Sequence, residues 1–335
     1  MIIDAHTHGL HGKYLEKLAT IGGGWASKNI DRVLEAARGR PHYIDVALRV
    51  AQLDRNGFDL QVVTPAHGLD CNLSPGDGKT KLAMAVAIND NMARMMEDSK
   101  GRLLTAGNIP LEEFEGGGRQ EMERAITTLG LKGIGLPSHI RGKPLDLPAF
   151  EPFWATVAEM GVPVFVHPIY PVGQTDRSYE AEYSLAHNFG WPFETTLMLS
   201  RLVFSGIMER YPGVKVVSHH LGGGMIPFFW GRINETYALE VQAQRIGRTL
   251  PKPLIEYFSL FYYDTAGGAG APAIKCTYDL FGVDQLVFAT DAPWGLGGGE
   301  ARLQTYSEVI KSLPIPEEDK AKIMSGNAKR LLNLK

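Results

Sequence analysis

The sequence predicts an α/β fold, a single (β/α)8 TIM barrel over residues 1–335 with long loops after the strands forming a lid. Short runs of β-branched and aromatic residues alternate with amphipathic helical patterns along the 335 residues. The runs are mostly apolar and do not alternate strictly with polar residues, which is typical of parallel strands covered on both faces. Eight such runs, each followed by a helical pattern, favour the barrel over a doubly wound open sheet.

The predicted strands occupy residues 2–5, 60–64, 103–106, 132–136, 162–166, 214–218, 261–264 and 286–290. The clearest helical pattern starts at Phe150, repeats apolar residues at helical spacing and stops at Gly161. Two further helices are expected over residues 43–56, before Gly57, and residues 193–211, before Pro212. The helical tail, residues 316–332, begins with proline and presents an apolar packing face.

Three connections are longer than ordinary turns and are expected to be loops, at residues 9–42, 65–80 and 168–192. Each leaves the carboxyl end of a strand, where barrel enzymes build their pockets. Aromatic residues in the third loop, among them Trp191, can form the wall of a planar binding site. The sequence therefore predicts a lid over one rim of the barrel.

Charge and cysteine content limit the classes of partner and compartment. The 34 basic and 37 acidic residues give a net charge of −3 without a charged tail, so neither nucleic acid nor a membrane surface is an expected partner. Cys71 and Cys276 belong to no metal-binding pattern and are expected to be reduced thiols. With no signal segment or long apolar run, the predicted location is the cytoplasm.

Histidines collect at the ends of the predicted strands. His6 and His8 follow the first strand, and side chains two apart on an extended backbone point to one side. His167 follows the fifth strand, His219 and His220 end the sixth, and Asp291 ends the eighth. Since all these ends lie on one rim, the sequence predicts a metal site there.

We assign His6, His8, His167 and Asp291 as the metal ligands. Three imidazoles and one carboxylate leave a coordination position open for water or substrate, as catalytic sites do. The segment after the fourth strand, Pro137-Ser138-His139, contains no lysine that could be modified to bridge a second ion. One divalent metal ion is therefore expected. The remaining histidines are expected outside the ligand set, with His67 and His187 as candidates for the pocket wall.

Several motifs resemble the aminocarboxymuconate-semialdehyde decarboxylase-like family, in the decarboxylase branch of the amidohydrolase superfamily. They are Asp4-Ala5-His6-Thr7-His8, Phe165-Val166-His167-Pro168, Trp191-Pro192-Phe193-Glu194-Thr195-Thr196, His220-Leu221-Gly222-Gly223-Gly224 and Ala289-Thr290-Asp291-Ala292-Pro293. The resemblance implies a barrel with one Zn or Mn ion held by the four assigned ligands. It also implies a proton-handling histidine on strand six, and a homodimer or higher homo-oligomer that lends an arginine across its interface.

The proton-handling position matches His220, although the neighbouring His219 leaves the choice open. The predicted activity is non-oxidative decarboxylation of a small, anionic, carboxylated aromatic or a muconate-type ring-cleavage product. The metal would act as a Lewis acid, and His220 would donate the proton. In a hydrolase of a carbon-carbon bond, lactone or amide the same parts would activate water, with Asp291 or His220 as base. A barrel with a structural metal and no catalysis is the second alternative.

Other residues are candidates for binding the substrate. Arg38, Arg40 and Arg49 are the arginines that could pair with its carboxylate. Trp191 is expected to form part of the pocket wall. Glu194 is expected either to anchor a metal-ligating imidazole or to cap the helix that begins there.

Overall fold

The computed structural model describes residues 1–170, 179–220, 225–246, 249–267 and 270–334, without the side chains of His67 and residues 179–181. The main strands are β1 (Ile3–His8), β2 (Leu60–Thr64), β3 (Leu103–Thr105), β4 (Ile134–Pro137), β5 (Pro163–His167), β6 (Lys215–Ser218), β7 (Tyr262–Asp264) and β8 (Leu286–Val287). Strands β1 to β3 form one parallel sheet in chain order. Gly107–Asn108, just beyond β3, pairs with β4, and β4 to β8 continue in chain order as a second parallel sheet.

Backbone hydrogen bonds also connect β1 with the segment at and after β8. The amide of Ala5 donates to the carbonyl of Phe288 at 2.8 Å, and the amide of Asp291 donates to the carbonyl of His6 at 2.9 Å. Thr7 and Ala292 form a parallel bridge. The first and last strands of the chain are therefore neighbours, and their carboxyl ends lie at the same edge.

One or two α-helices lie between each main strand and the next, and three follow β8. They are α1 (Leu15–Gly39), α2 (Val46–Asn56), α3 (Gly78–Asp98), α4 (Arg119–Glu123), α5 (Glu151–Met160), α6 (Trp191–Phe204), α7 (Ile207–Arg210), α8 (Ile226–Gln242), α9 (Leu254–Phe258), α10 (Ala271–Phe281), α11 (Glu300–Ser312), α12 (Glu317–Ala321) and α13 (Asn327–Leu331). Gly57 and Gly161 end α2 and α5 in the left-handed conformation, where a residue without Cβ is favoured. A short antiparallel hairpin, His139–Ile140 with Lys143–Pro144, follows β4.

The structure corrects two of the sequence expectations. Most of residues 9–42, expected as a loop, forms the long helix α1, which is kinked at Gly23. Leu15, Leu18, Ile30 and Val33 are buried on it, so packing against the rest of the core outweighs the low helix propensity of its glycines. The single helix expected over residues 193–211 is divided into α6 and α7, because Gly206 adopts a left-handed φ of 79°.

The core has two parts. A large apolar cluster lies between the strands and the helices, and a smaller one joins strand residues such as Ile3, Val62 and Phe165 to Leu331 and Leu332 at the C-terminal end. In β1 the pairing register shifts between Asp4 and Thr7, the interval that contains His6. Such irregularities re-aim side chains next to functional sites. No helix in the described part of the chain is long and apolar enough to cross a membrane.

Candidate metal centre

Four side chains from three strand ends meet in the interior. His6, His8, His167 and Asp291 are all buried, and each offers one ligand atom within 4.8 Å of the others. The Nε2 atoms of His6 and His8 are 2.9 Å apart, and Asp291 Oδ1 lies 3.3 Å from His8 Nε2 and 3.8 Å from His6 Nε2. These separations are close to those between atoms that coordinate one ion at about 2.0–2.2 Å.

The other ring nitrogen of each histidine has an oxygen beside it. His6 Nδ1 is 2.7 Å from Asp264 Oδ2, His8 Nδ1 is 2.8 Å from Thr64 Oγ1, and His167 Nδ1 is 2.5 Å from the Pro168 carbonyl oxygen. These partners favour the tautomer in which Nδ1 carries the proton and donates it. In that tautomer each Nε2 presents a lone pair, which is the state a metal ligand needs.

Asp291 has one oxygen engaged and one oriented toward the histidines. Its Oδ2 accepts a hydrogen bond from Arg302 Nη1 at 2.7 Å, whereas Oδ1 is buried and has no hydrogen-bond partner among the described residues. Leaving a buried carboxylate oxygen unpaired is costly, and burial raises the pKa of Asp291. A divalent cation between Oδ1 and the imidazoles would remove that cost, and a donor set of three imidazoles and one carboxylate suits Zn or Mn.

The two adjacent histidines of strand β6 have different surroundings. His219 is fully buried, stacks on the His6 ring at a centroid distance of 3.4 Å, and shares Asp264 Oδ2 with His6 through its own Nδ1 at 2.8 Å. His220 instead lines a cavity, and its Nε2 lies 2.6 Å from His167 Nε2. Burial lowers the pKa of His220, against the opposing effects of Asp291 and Asp264. The geometry thus separates a supporting histidine from one that can contact a ligand.

The backbone at His220 and Asp291 is held in an uncommon conformation. Their φ angles are +62° and +64°, in the left-handed region that residues with a Cβ rarely adopt. A Cβ added at Gly267 would lie 2.9 Å from His220 Nδ1, so only glycine permits this close approach. Residues held in such conformations cluster at functional sites.

A cavity of about 440 Å³ opens beside the metal ligands. Trp191, a predicted wall residue, lies in it and packs against His167 and His220 at centroid distances of 5.1 and 4.9 Å. The described lining residues are His167, His187, Asn188, Trp191, Pro192, His220, Gly267, Trp294 and Arg302. The cavity is therefore aromatic, with one guanidinium at its wall.

None of the three candidate arginines belongs to that described lining. Arg38 is exposed and pairs with Glu35. Arg49 is buried, where it donates to Gln61 Oε1 and to the His8 carbonyl oxygen at 2.7 Å and so supports the backbone of β1. Arg40 lies over Trp294, 5.3 Å from its ring centroid.

Glu194 also lies away from the metal ligands. It is buried, and its Oε2 lies 3.8 Å from His139 Nε2. Both residues line a separate cavity of about 340 Å³ beside the hairpin after β4. Burial raises the pKa of Glu194, and a hydrogen bond with Ser138 opposes the shift. Among the described contacts it anchors no predicted ligand; it belongs to the first turn of α6, whose N-cap is Gly190. The side chain of His67 lies outside the described residues.

Sequence reasoning did not identify Asp264, Arg302, Trp294 or Asn188. Asp264 had a usable signal, because it ends β7 at the rim where the other strand-end residues were selected. Arg302 had none, since it lies on α11, 11 positions after Asp291, and reaches that residue only because of the path of the glycine-rich loop between them.

Comparisons with known proteins identify the family. A family model described as amidohydrolase matches residues 3–334. A 2-amino-3-carboxymuconate-6-semialdehyde decarboxylase from Dictyostelium discoideum is 31% identical over 291 residues, covering 87% of this chain and 77% of the relative. A gamma-resorcylate decarboxylase from Rhizobium radiobacter is 27% identical and covers 77% and 78%.

Solved structures agree with the sequence relatives. The crystal structure of 5-carboxyvanillate decarboxylase from Sphingomonas paucimobilis superposes with a TM-score of 0.83 at 25% identity, over 100% of this chain and 99% of that one. The match extends over the whole α/β fold and its parallel strands. The chain therefore belongs to the amidohydrolase family and is a metal-dependent enzyme of that family.

Proposed function

We propose that this protein is a non-oxidative, metal-dependent decarboxylase of a small carboxylated aromatic compound or a muconate-type ring-cleavage product. One observation carries the proposal: the cluster of three imidazoles and Asp291 borders an aromatic cavity whose wall also contains His220. The relatives named above are decarboxylases of substrates in these two classes. A structural metal site would not need that combination of open ligand set and separate histidine. A hydrolase could use the same residues, and the decarboxylase relatives favour decarboxylation over hydrolysis.

The proposed ligands of a single Zn or Mn ion are His6, His8, His167 and Asp291. When bound, the ion would supply Lewis-acid stabilisation of negative charge on the substrate. A 5-carboxyvanillate decarboxylase structure from Novosphingobium aromaticivorans, at 20% identity and a TM-score of 0.83, contains manganese. The buried Oδ1 of Asp291 and the orientation of the three imidazoles support the same use of these residues here.

We assign His220 as the residue that donates a proton to the substrate carbon after the carboxylate has left. When the bond between the ring carbon and the carboxylate breaks, the electron pair stays on that carbon and carbon dioxide leaves. The carbon then takes a proton from the protonated His220 imidazolium, which becomes neutral imidazole and recovers a proton from solvent. Trp191 and Trp294 would hold the ring, and His219 would orient His6 through Asp264 without contacting substrate.

Four finer features belong to the same proposal. The strands would close into a barrel, supported by the hydrogen bonds between β1 and the segment after β8. The loop after β5 would act as a lid, although residues 171–178 of it lie outside the described part. We also propose one domain over the whole chain, a homo-oligomer, and a cytoplasmic location.

The test is release of carbon dioxide by Zn-loaded and Mn-loaded protein from γ-resorcylate, 5-carboxyvanillate and 2-amino-3-carboxymuconate-6-semialdehyde. Replacing His220 by Asn should reduce turnover by about 10²–10⁴-fold with the metal content unchanged, because general acid catalysis contributes that much. His11→Asn is the matched control, since His11 pairs with Asp98 outside the cavity and should retain turnover. Full turnover in the His220→Asn variant, or hydrolysis products without carbon dioxide, would contradict the proposal.

A further inference from the structure

Arg302 places a permanent positive charge in the cavity wall beside the metal ligands. Of the described residues that line the cavity, it is the one whose side chain stays charged at every physiological pH. Its side chain is about one quarter exposed, at 23%. The guanidinium is therefore accessible to a ligand while being held by the protein.

Three contacts fix the position of Arg302. Nη1 donates to Asp291 Oδ2 at 2.7 Å and lies 3.3 Å from the Thr290 carbonyl oxygen. The guanidinium carbon lies 5.9 Å from the centroid of the Tyr306 ring. On another side, a Cβ added at Gly295 would lie 2.6 Å from Arg302 Nε, and Gly295 has a φ of 105°. The loop is thus shaped to accept this arginine closely.

The guanidinium retains donors beyond these contacts. An arginine carries five N–H groups in a fixed fork, and in the described part of the chain the hydrogen bonds of Arg302 involve Nη1 alone. A fork of this kind matches a carboxylate, and such charge-assisted bonds are about twice as strong as neutral ones. Arg38, Arg40 and Arg49 are not among the described residues that line the cavity.

We infer that Arg302 binds an anionic group of the substrate in the cavity, which makes it the residue that selects carboxylated rings over neutral ones. The inference rests on the proposed function for the substrate class, but it concerns binding and can be measured without turnover. The hydrogen bond from Arg302 to Asp291 Oδ2 also leaves Oδ1 as the oxygen that Asp291 presents to the histidines.

The experiment compares two probes, 2,6-dihydroxybenzoate and its neutral counterpart resorcinol, by titration calorimetry on Mn-loaded protein in which His220→Asn slows turnover, so that the anionic probe is not consumed during the titration. With Arg302 present, this protein should bind the anionic probe more tightly. Arg302→Gln should weaken binding of that probe by about 10- to 100-fold, the size expected for a charge-assisted pair, and change resorcinol binding by less than about threefold. Arg302→Lys should give an intermediate preference.

Two more variants make the comparison specific. Arg210→Gln is the matched control, because Arg210 forms a bidentate ion pair with Glu151 and is not among the described lining residues of the cavity. Gly295→Ala keeps Arg302 in the sequence but occupies its position, so it should reproduce the loss of preference. Metal content and circular dichroism are measured for every variant. If Arg302→Gln loses its metal, binding of the two probes is compared in Arg302→Lys instead.

Equal weakening of both probes would assign Arg302 a purely structural role and overturn the inference. Equal affinity for both probes when Arg302 is intact would overturn it as well. Failure of the proposed function has a different signature, since the probes would then bind with the expected preference while no carbon dioxide is released.

Discussion

Asp264 is predicted to control metal affinity without being a ligand. It is fully buried, and its Oδ2 lies 2.7 Å from His6 Nδ1 and 2.8 Å from His219 Nδ1, while its Oδ1 accepts a hydrogen bond from the amide of Ala266 at 3.0 Å. All three contacts require an acceptor. Replacement by Asn keeps the shape but turns one oxygen into a donor, so the variant loses either the Ala266 contact or both imidazole contacts.

The expected magnitude follows from the role of such partners. Removing a carboxylate that orients a ligating imidazole typically costs about 10- to 100-fold in metal affinity, or about 1.4–2.7 kcal/mol. Asp264→Asn should therefore bind Mn more weakly by that factor. The loss should exceed that of His219→Ala, because His219 stacks on His6 and is not among the proposed ligands.

The assay is competition for Mn between the protein and a chelator of known affinity, read as free Mn by electron paramagnetic resonance. Asp279→Asn serves as control, since Asp279 is an exposed carboxylate paired with Lys275 on α10. Thermal unfolding of the metal-free variants checks that they fold. An Asp264→Asn protein with wild-type Mn affinity would refute the reasoning that Asp264 orients His6.

Two further predictions concern stability. Chelation should lower the free energy of unfolding, by about 2.7 kcal/mol relative to protein at a free metal concentration of roughly 100 Kd, because the unfolded chain lacks the assembled ligands; equal thermal transitions with and without chelator would contradict the site. Burial raises the pKa of Asp70 to about 6 from 3.8, against hydrogen bonds from Asn72 and Asn108. Since the folded-state pKa is the higher one, the stability that protonated Asp70 contributes is full below 3.8 and is lost as pH rises through about 6. Urea unfolding of wild type should therefore show up to about 3 kcal/mol lost between about pH 4 and pH 8 relative to Asp70→Asn, and parallel profiles would contradict this.

The sequence contained the strands and the ligand candidates because both are local signals. A short, mostly apolar run identifies a buried strand, and in a parallel sheet the residues at the end of each run lie at one common edge. His6, His8, His167 and Asp291 could therefore be grouped before any contact was known. Helix ends were equally local where a glycine adopts the left-handed conformation, as at Gly57 and Gly161.

Only the tertiary structure decided what surrounds those ligands. His219 and His220 are neighbours in sequence, yet one contacts Asp264 and the other lines the cavity, because the chain turns at His220 into a left-handed φ. Arg302 reaches Asp291 only because the glycine-rich loop before α11 folds back to the end of β8. Contacts between distant segments depend on packing and backbone path, which no local pattern of residues specifies.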